Sequence, residues 1–380
     1  MRFRLNKKLL KMIKKKIVVI AGEDSGDLHG SHLIREIKNS SSNFEFHGIG
    51  GDQMIREGLK PIEHIKNLNV IGIVEVLKHY PRIKKIFNNT LSFIKKTMPE
   101  KVILIDYPGF NLRLAKKISS MGIEVSYFIL PQVWAWRSSR AKILEENTDK
   151  RISIIPLEKD WFKKRGINIK YVGNPLIGLK NVRGDKDWLY KKYGISRDEK
   201  IVALMPGSRK SEIQKHWKIF LETMGLLEKN SKQKITPILL QAPNVSIENL
   251  PNRFVATKEN HHEILSVADA AIVSSGTATL ETAILGCPMV VCYKLSPITW
   301  FLAQKMSSVK YLSLVNLIGN KNIVKELLQT EMNAPNIAEE VLFLLSGDGQ
   351  KSVKSDYETL RNSLISKTNP YKEAAQHILA

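Results

Sequence analysis

The chain reads as an α/β protein built on two parallel sheets, one in each half. Two observations predict this. Short, mostly apolar runs such as Lys101–Ile105, Lys200–Met205 and Ala268–Val273 have the length of strands buried on both faces. Each is followed by a turn rich in glycine, proline or hydroxyl residues and then by a stretch of helical period, and repeated strand–helix alternation closes as a parallel sheet. A length of 380 residues exceeds one ordinary domain and suits two of roughly 150–200 residues.

Composition narrows the function classes. A hydrophobic fraction of 43% with 7% aromatics can bury two cores, and no apolar run reaches the roughly 18 residues a spanning helix needs. The two cysteines, Cys287 and Cys292, sit within one apolar run, suit a core better than a metal or redox pair, and suggest a reducing compartment. The formal net charge of +22 admits nucleic acid, an anionic membrane surface or anionic substrates as partners. Zinc-finger spacings, repeats and aromatic–basic ribonucleoprotein motifs are missing, which argues against nucleic acid. Residues 1–16 carry eight basic and no acidic side chains. They lack the apolar stretch and cleavage site of a secretory signal, and Met12 offers an alternative start.

Lys16–Ala21 is the first strand. The loop after it, Gly22 to Gly30, leads into a helix over 32–38 and mixes glycine with Glu23, Ser25, Gly26 and Asp27. Such a loop suits sugar hydroxyls better than phosphate, which carboxylates repel. After the strand Phe44–Ile49, the stretch Val70–Phe87 interleaves apolar Ile73, Val74, Val76 and Leu77 with basic Lys78, Arg82, Lys84 and Lys85. That pattern fits a helix at a lipid interface and also fits an ordinary core helix. The strand Lys101–Ile105 ends at Asp106, a carboxylate where open α/β sheets bind ligands. Glu124–Ile129 delivers Gln132, Trp134, Trp136 and Arg137 to the same rim, where indoles and a guanidinium suit ring stacking, phosphate pairing or plain packing. Arg151–Pro156 and Ile169–Val172 complete this half, and the polar residues 180–192 read as an interdomain linker. Asp185 and Asp187 within it have the spacing of a metal-binding pair but belong to a solvated charge run.

In the second half, Lys200–Met205 runs into Pro206, Gly207, Ser208 and Arg209, then a helix carrying Glu212. A strand–glycine–helix turn with an arginine fork is an anion seat suited to a diphosphate. Pro237–Gln241 and Arg253–Val255 are strands, and His261 and His262 begin a helix as solvated surface. Ala268–Val273 then leads into Ser274 to Glu281. Here Ser275, Gly276, Thr277 and Ala278 bring hydroxyls and backbone N–H groups to the positive end of a helix dipole, a second phosphate seat. Glu281, one turn in, can accept hydrogen bonds from a sugar diol. A capped helix with nothing bound has the same pattern. Met289–Lys294 and Tyr311–Ile318 precede the final helices.

Six motifs occur together and in order: Ala21 to Asp27, Gly72 to Leu77, Trp134 to Arg137, Pro206 to Arg209, Ser275 to Ala278 and Ser313 to Leu317. In these the chain resembles the lipid-A-disaccharide synthases from end to end, apart from the basic N-terminal extension. The resemblance implies a GT-B glycosyltransferase of two Rossmann-like domains with a cleft between them. Residues 1–178 would face acceptor and membrane, 179–349 would bind the UDP-sugar, and helices over about 350–380 would return to the first domain. It implies UDP-2,3-diacylglucosamine as donor and 2,3-diacylglucosamine 1-phosphate (lipid X) as acceptor, giving a β-1,6-linked disaccharide 1-phosphate and UDP. It assigns catalysis to Asp106, within an Asp-x-Pro-x-Phe-Asn element completed by Pro108, Phe110 and Asn111, while Gly109 stands where some relatives carry a second aspartate. The donor would lie on Gly207, Ser208, Arg209, Glu212, Ser275, Gly276, Thr277, Ala278, Glu281 and Asn316. No cofactor or metal is implied. The setting implied is cytoplasmic and peripheral, on the anionic inner face of the inner membrane, with a homo-oligomer left open.

The chemistry agrees with the residues. An inverting transfer needs a base for the acceptor hydroxyl and stabilisation of the departing diphosphate. Two other readings share the same features: another UDP-sugar enzyme, such as an epimerase or a peptidoglycan transferase, and a basic non-enzymatic protein that binds membrane or nucleic acid.

Overall fold

The computed structural model describes residues 14–68, 73–135, 138–243, 245–297, 300–301, 309–366 and 368–380, with side chains from residue 79 onward in the helix that begins at Ile73. The chain divides into two compact units, Met1–Pro175 with Ser366–Ala380, and Leu176–Ile365.

The first unit holds strands β1 (Lys15–Ile20), β2 (Phe44–Gly50), β3 (Leu59–His64), β4 (Lys101–Ile105), β5 (Glu124–Phe128), β6 (Lys150–Ser153) and β7 (Lys170–Tyr171). They form one parallel sheet in the order β3-β2-β1-β4-β5-β6-β7. Between them run α1 (Asp24–Ser40), α2 (Asp52–Arg56), α3 (Ile73–Thr97), α4 (Pro108–Ile118), α5 (Arg140–Asn147) and α6 (Pro156–Lys163). The central strands β1, β4 and β5 are mostly apolar because both of their faces are covered, while β3, β6 and β7 toward the edges carry polar residues. Ile17, Val19, Ile103 and Ile105 pack under Leu33, Ile34 and Ile37 of α1. Val18, Ile20, Val102 and Leu104 pack on the other side against Leu114, Ala115 and Ile118 of α4 and Ile86 and Ile94 of α3.

The second unit repeats the plan. Strands β8 (Lys200–Met205), β9 (Ile235–Leu240), β10 (Val255–Thr257), β11 (Ala270–Ser274), β12 (Met289–Tyr293) and β13 (Glu326–Leu328) form a parallel sheet ordered β10-β9-β8-β11-β12-β13. Its helices include α7 (Lys186–Tyr193), α8 (Lys210–Asn230), α9 (His261–Leu265), α10 (Thr277–Leu285), α11 (Leu314–Gly319), α12 (Ala334–Leu345) and α13 (Gly347–Leu364). The last helix, α14 (Pro370–Leu379), packs its Ala374, Ala375 and Ile378 into the core of the first unit. Cys287 and Cys292 are both free and buried, and burial pushes both thiols up.

Three local expectations change. The helix after β1 begins at Asp24, so Ser25, Gly26 and Asp27 form its first turn and are not loop; acids there complement the helix dipole. Residues 180–192 are not a linker, because α7 buries Leu189 and Tyr190 in the second unit's core; the chain leaves the first unit at Pro175. Helix α13 also stays on the second unit through Val353, Tyr357, Leu360 and Leu364, so the return begins at Ser366 and not near 350. In α3, Ile86, Thr90 and Ile94 are buried while Arg82, Lys84 and Lys85 are exposed, an amphipathic helix seated on the core. The side chains of Ile73, Val74, Val76, Leu77 and Lys78 lie outside the described residues. Among the described residues no helix is long and apolar enough to cross a membrane.

Candidate functional site

In each sheet the strand order reverses once, between β1 and β4 in the first unit and between β8 and β11 in the second. Ligands of open α/β sheets bind beyond the carboxyl ends of the strands at that reversal. Glu23 and Asp106 follow β1 and β4, while Ser208–Arg209 and Ser275–Thr277 follow β8 and β11.

Asp106 is held there in a strained backbone. Asp106 and Tyr107 both adopt positive φ, 44° and 48°, a conformation that costs a non-glycine residue energy and persists only when its surroundings enforce it. Enforcement comes from neighbouring strands. The Asp106 carbonyl accepts from the Tyr127 hydroxyl at 2.6 Å and from Asn111 Nδ2 at 2.8 Å, and the Asp106 N–H donates to the Phe128 carbonyl at 3.1 Å. The Tyr107 ring covers Gly22, where a Cβ would lie 2.2 Å from it, so only glycine lets the loops after β1 and β4 meet. Burial, then the nearby Glu23 charge, raises the Asp106 carboxyl to about 6.

Asp106 lines a cavity of about 260 Å³ together with Pro108, Ile129, Gln132, Arg140 and Ile155. Gln132 is exposed at its rim. Trp134 is not a rim platform: it is buried, and its indole N–H donates to Glu158 Oε1 at 2.8 Å. Glu158 is itself 1% exposed and its Oε2 lies against Ser153 Oγ. Burial raises its carboxyl to about 8, with Asp106 adding to the shift. Trp136 and Arg137 lie outside the described residues.

The acids after β1 part company. Glu23 and Ser25 are exposed, whereas Gly26 packs on Ala21. Asp27 is buried, its carboxylate accepting the N–H groups of Gly51 (2.6 Å), Gln53 (3.0 Å) and Met54 (3.1 Å) at the start of α2. It anchors a loop and is no free base or acceptor ligand.

In the second unit, Gly207 takes φ +130°, and a Cβ there would lie 2.6 Å from Glu212 Oε2. Glu212 accepts the Ser208 N–H at 3.0 Å and the Tyr293 hydroxyl at 3.3 Å, and pairs with Arg209 at 3.4 Å. Glu212 therefore shapes the turn, and Arg209 stays 47% exposed at the head of α8. His216 is fully buried and ties the turn to the next loop. Its Nε2 accepts the Lys294 N–H at 3.1 Å, so its Nδ1 carries the proton and donates to the Pro206 carbonyl at 2.7 Å. Beyond β11, Gly276 and Thr277 are exposed, Ser275 and Ala278 half-buried, and α10 opens with no side-chain cap. Glu281 faces His262 at 3.3 Å, which raises the histidine; His262 is thus a partner of the candidate site and not idle surface.

Asn316 does not face a ligand. It is fully buried, its Nδ2 donating to the Val324 carbonyl and Glu326 Oε1, both at 2.8 Å, and its Oδ1 accepting from Ile323 and Val324. Glu326 also accepts from the backbone of Leu312 and Ser313 and from the Ser313 hydroxyl. The Ser313–Leu317 motif is a knot that fixes the loop before α11. Asp185 and Asp187 are structural as well: Asp185 caps α7 by accepting the Asp187 N–H at 2.9 Å, and Asp187 pairs with Arg197.

Sequence reasoning missed Glu158, His216 and Glu326. Glu158 follows a proline at a helix start and reads as first-turn surface. His216 and Glu326 sit within ordinary amphipathic or charged contexts, and no local signal marks them.

A family profile described as lipid-A-disaccharide synthetase matches residues 17–379. The lipid-A-disaccharide synthase of Trichlorobacter lovleyi is 35% identical over 339 residues, covering 87% of this chain and 88% of that protein. Among solved structures, the calicheamicin glycosyltransferase CalG4 superposes with a TM-score of 0.62 at 12% identity, covering 97% of this chain and 98% of its own. The UDP-GlcNAc 2-epimerase of Neisseria meningitidis, solved bound to UDP-GlcNAc, gives 0.59 at 13% identity, covering 96% and 98%. The fold is that of GT-B glycosyltransferases and UDP-GlcNAc epimerases.

Proposed function

We infer the following reaction from the premise that the chain belongs to the lipid-A-disaccharide synthetase family and is a glycosyltransferase forming the lipid A disaccharide from UDP-sugar and lipid substrates. The donor is UDP-2,3-diacylglucosamine and the acceptor 2,3-diacylglucosamine 1-phosphate. Asp106 takes the proton from the acceptor's 6-hydroxyl as that oxygen attacks the donor's anomeric carbon, and UDP leaves from the opposite face, so configuration inverts. The observation that carries this reading is Asp106 itself, a carboxyl at a sheet's reversal point, locked at positive φ and raised to about 6. A base works best with a pKa near the operating pH. The departing diphosphate gathers negative charge, which Arg209 and the uncapped start of α10 stabilise. Glu281 and His262 hold the ribose side of UDP. Arg82, Lys84 and Lys85 support a peripheral seat on the anionic inner face of the inner membrane, where acylated substrates reside.

The test incubates the protein with both synthetic acylated substrates and follows product by mass spectrometry and the new anomeric proton by NMR. A β-linked tetraacyl disaccharide 1-phosphate with one UDP released is expected. UDP release without disaccharide, or epimerisation of the donor, would overturn the reading.

A further inference from the structure

We propose that Glu158 works as a neutral carboxylic acid that positions the pocket wall around Asp106, and that ionising it disables the pocket. Ser153 Oγ accepts the Ile155 N–H at 3.1 Å and lies 3.0 Å from the Ile155 carbonyl and against Glu158 Oε2. A serine hydroxyl has one proton and cannot donate to both oxygens. A protonated Glu158 resolves the set: its O–H donates to Ser153 Oγ, Ser153 donates to the Ile155 carbonyl, and Oε1 still accepts from Trp134. An ionised Glu158 would take the serine proton and leave the Ile155 carbonyl with the Glu158 N–H at 3.2 Å as its one remaining donor, or sit as a buried charge with one donor itself.

This network joins the loops that shape the cavity. Ser153 ends β6, Ile155 lines the cavity, and Trp134 follows Gln132 and Val133, which line it as well. Of the described groups, Asp106 is the ionisable neighbour whose charge acts on Glu158, while Trp134 and Ser153 carry none. On Asp106's side stand Glu23, which adds negative charge, and Arg140, which lines the cavity. A neutral Glu158 lets Asp106 ionise without a second buried negative charge behind it. Burial, which places the Glu158 carboxyl near 8, agrees with this division of protons. Glu158 is a positioning residue and does not touch substrate.

The inference rests on Asp106 as base, and its test separates the two. Rates are measured from pH 5 to 10 on the wild type, Glu158→Gln and Glu158→Leu, with UDP affinity alongside. Glutamine is neutral at every pH and keeps a donor and an acceptor, so Glu158→Gln should hold kcat within about threefold at neutral pH and lose the wild type's alkaline decline. Glu158→Leu should lower kcat by roughly 10²-fold through misplacement, leaving UDP affinity unchanged. The infrared difference between wild type and Glu158→Gln at pH 7 should contain a protonated-carboxyl band, a readout independent of activity and of Asp106. An alkaline limb unchanged in Glu158→Gln, a glutamine variant as impaired as leucine, or an ionised-carboxylate band at pH 7 would each overturn the proposal. An active Asp106→Asn enzyme that keeps the band would overturn the base assignment alone.

Discussion

The Trp134 indole N–H donates to Glu158 Oε1 at 2.8 Å, joining a loop after β5 to the first turn of α6 across 24 residues of chain. Replacing Trp134 with Phe keeps a ring in the core and removes the donor from a buried carboxyl. An unmet buried hydrogen bond costs about 1–3 kcal/mol. Urea denaturation should show that loss at pH 7, and the deficit should grow at pH 9 as Glu158 ionises with one donor fewer.

Asp106→Asn should lower turnover by roughly 10²–10⁴ while UDP binding, measured by calorimetry, stays unchanged. The same variant should be more stable than wild type at neutral pH. The folded carboxyl sits near 6 against an ordinary value of 3.8, so protonation favours the fold at low pH and that advantage disappears as pH rises through about 6. Asparagine removes the buried charge, so its thermal gain should be small at pH 4 and full above pH 6. Equal melting temperatures across that range would contradict the assigned burial.

Arg209 and Asn316 should separate cleanly. Arg209→Ala removes an exposed charged donor and should weaken UDP binding by about 1.5–3 kcal/mol with little change in melting. Arg209→Lys should restore it only in part, because an ammonium lacks the fork. Asn316→Ala strips buried carbonyls, amides and Glu326 of partners and should destabilise by about 3 kcal/mol or more, leaving UDP affinity of the folded protein intact. UDP affinity that follows Asn316 and ignores Arg209 would reverse the two roles.

One half-buried and one buried histidine set an acid limit. His29, bonded to Tyr371 of α14 at 2.9 Å, is lowered to about 4 by burial and by neighbouring His32, and burial also lowers His216. The unfolded chain protonates both near 6.5 while the fold keeps them neutral. Their contribution is therefore complete above 6.5 and declines as pH falls below it, for His29 through about 4. Denaturation curves of His29→Gln and His216→Gln should decline less steeply over that interval than wild type, whatever their stability at pH 7. Parallel slopes would show that other groups set the limit.

Changing exposed Arg82, Lys84 and Lys85 on α3 to Gln removes three charges. At about 1 kcal/mol each, binding to vesicles containing anionic lipid should fall on the order of 10²-fold, with no change on neutral vesicles. Unaltered binding would move the membrane contact to another surface.

The architecture, and the placing of Asp106, Ser208 and Ser275 just beyond strand ends, can be read from the residues alone. Runs such as Lys101–Ile105 announce strands covered on both faces, and the first polar residue after such a run stands at a strand's carboxyl end, so Asp106 and the turns at Ser208 and Ser275 were legible without coordinates. Which polar residues remain available depends on the packing of distant segments. Asp27, Trp134 and Asn316 have the same composition and motif setting as a ligand-binding residue. Each is instead committed to backbone or carboxyl partners, at Gly51, Glu158 and Glu326, that lie 24, 24 and 10 residues away in the chain. Hydrogen-bonding capacity is a property of the side chain and is written in the sequence. Whether a side chain's partner is protein or ligand depends on which distant segments the fold brings within about 3 Å, and no local pattern encodes that.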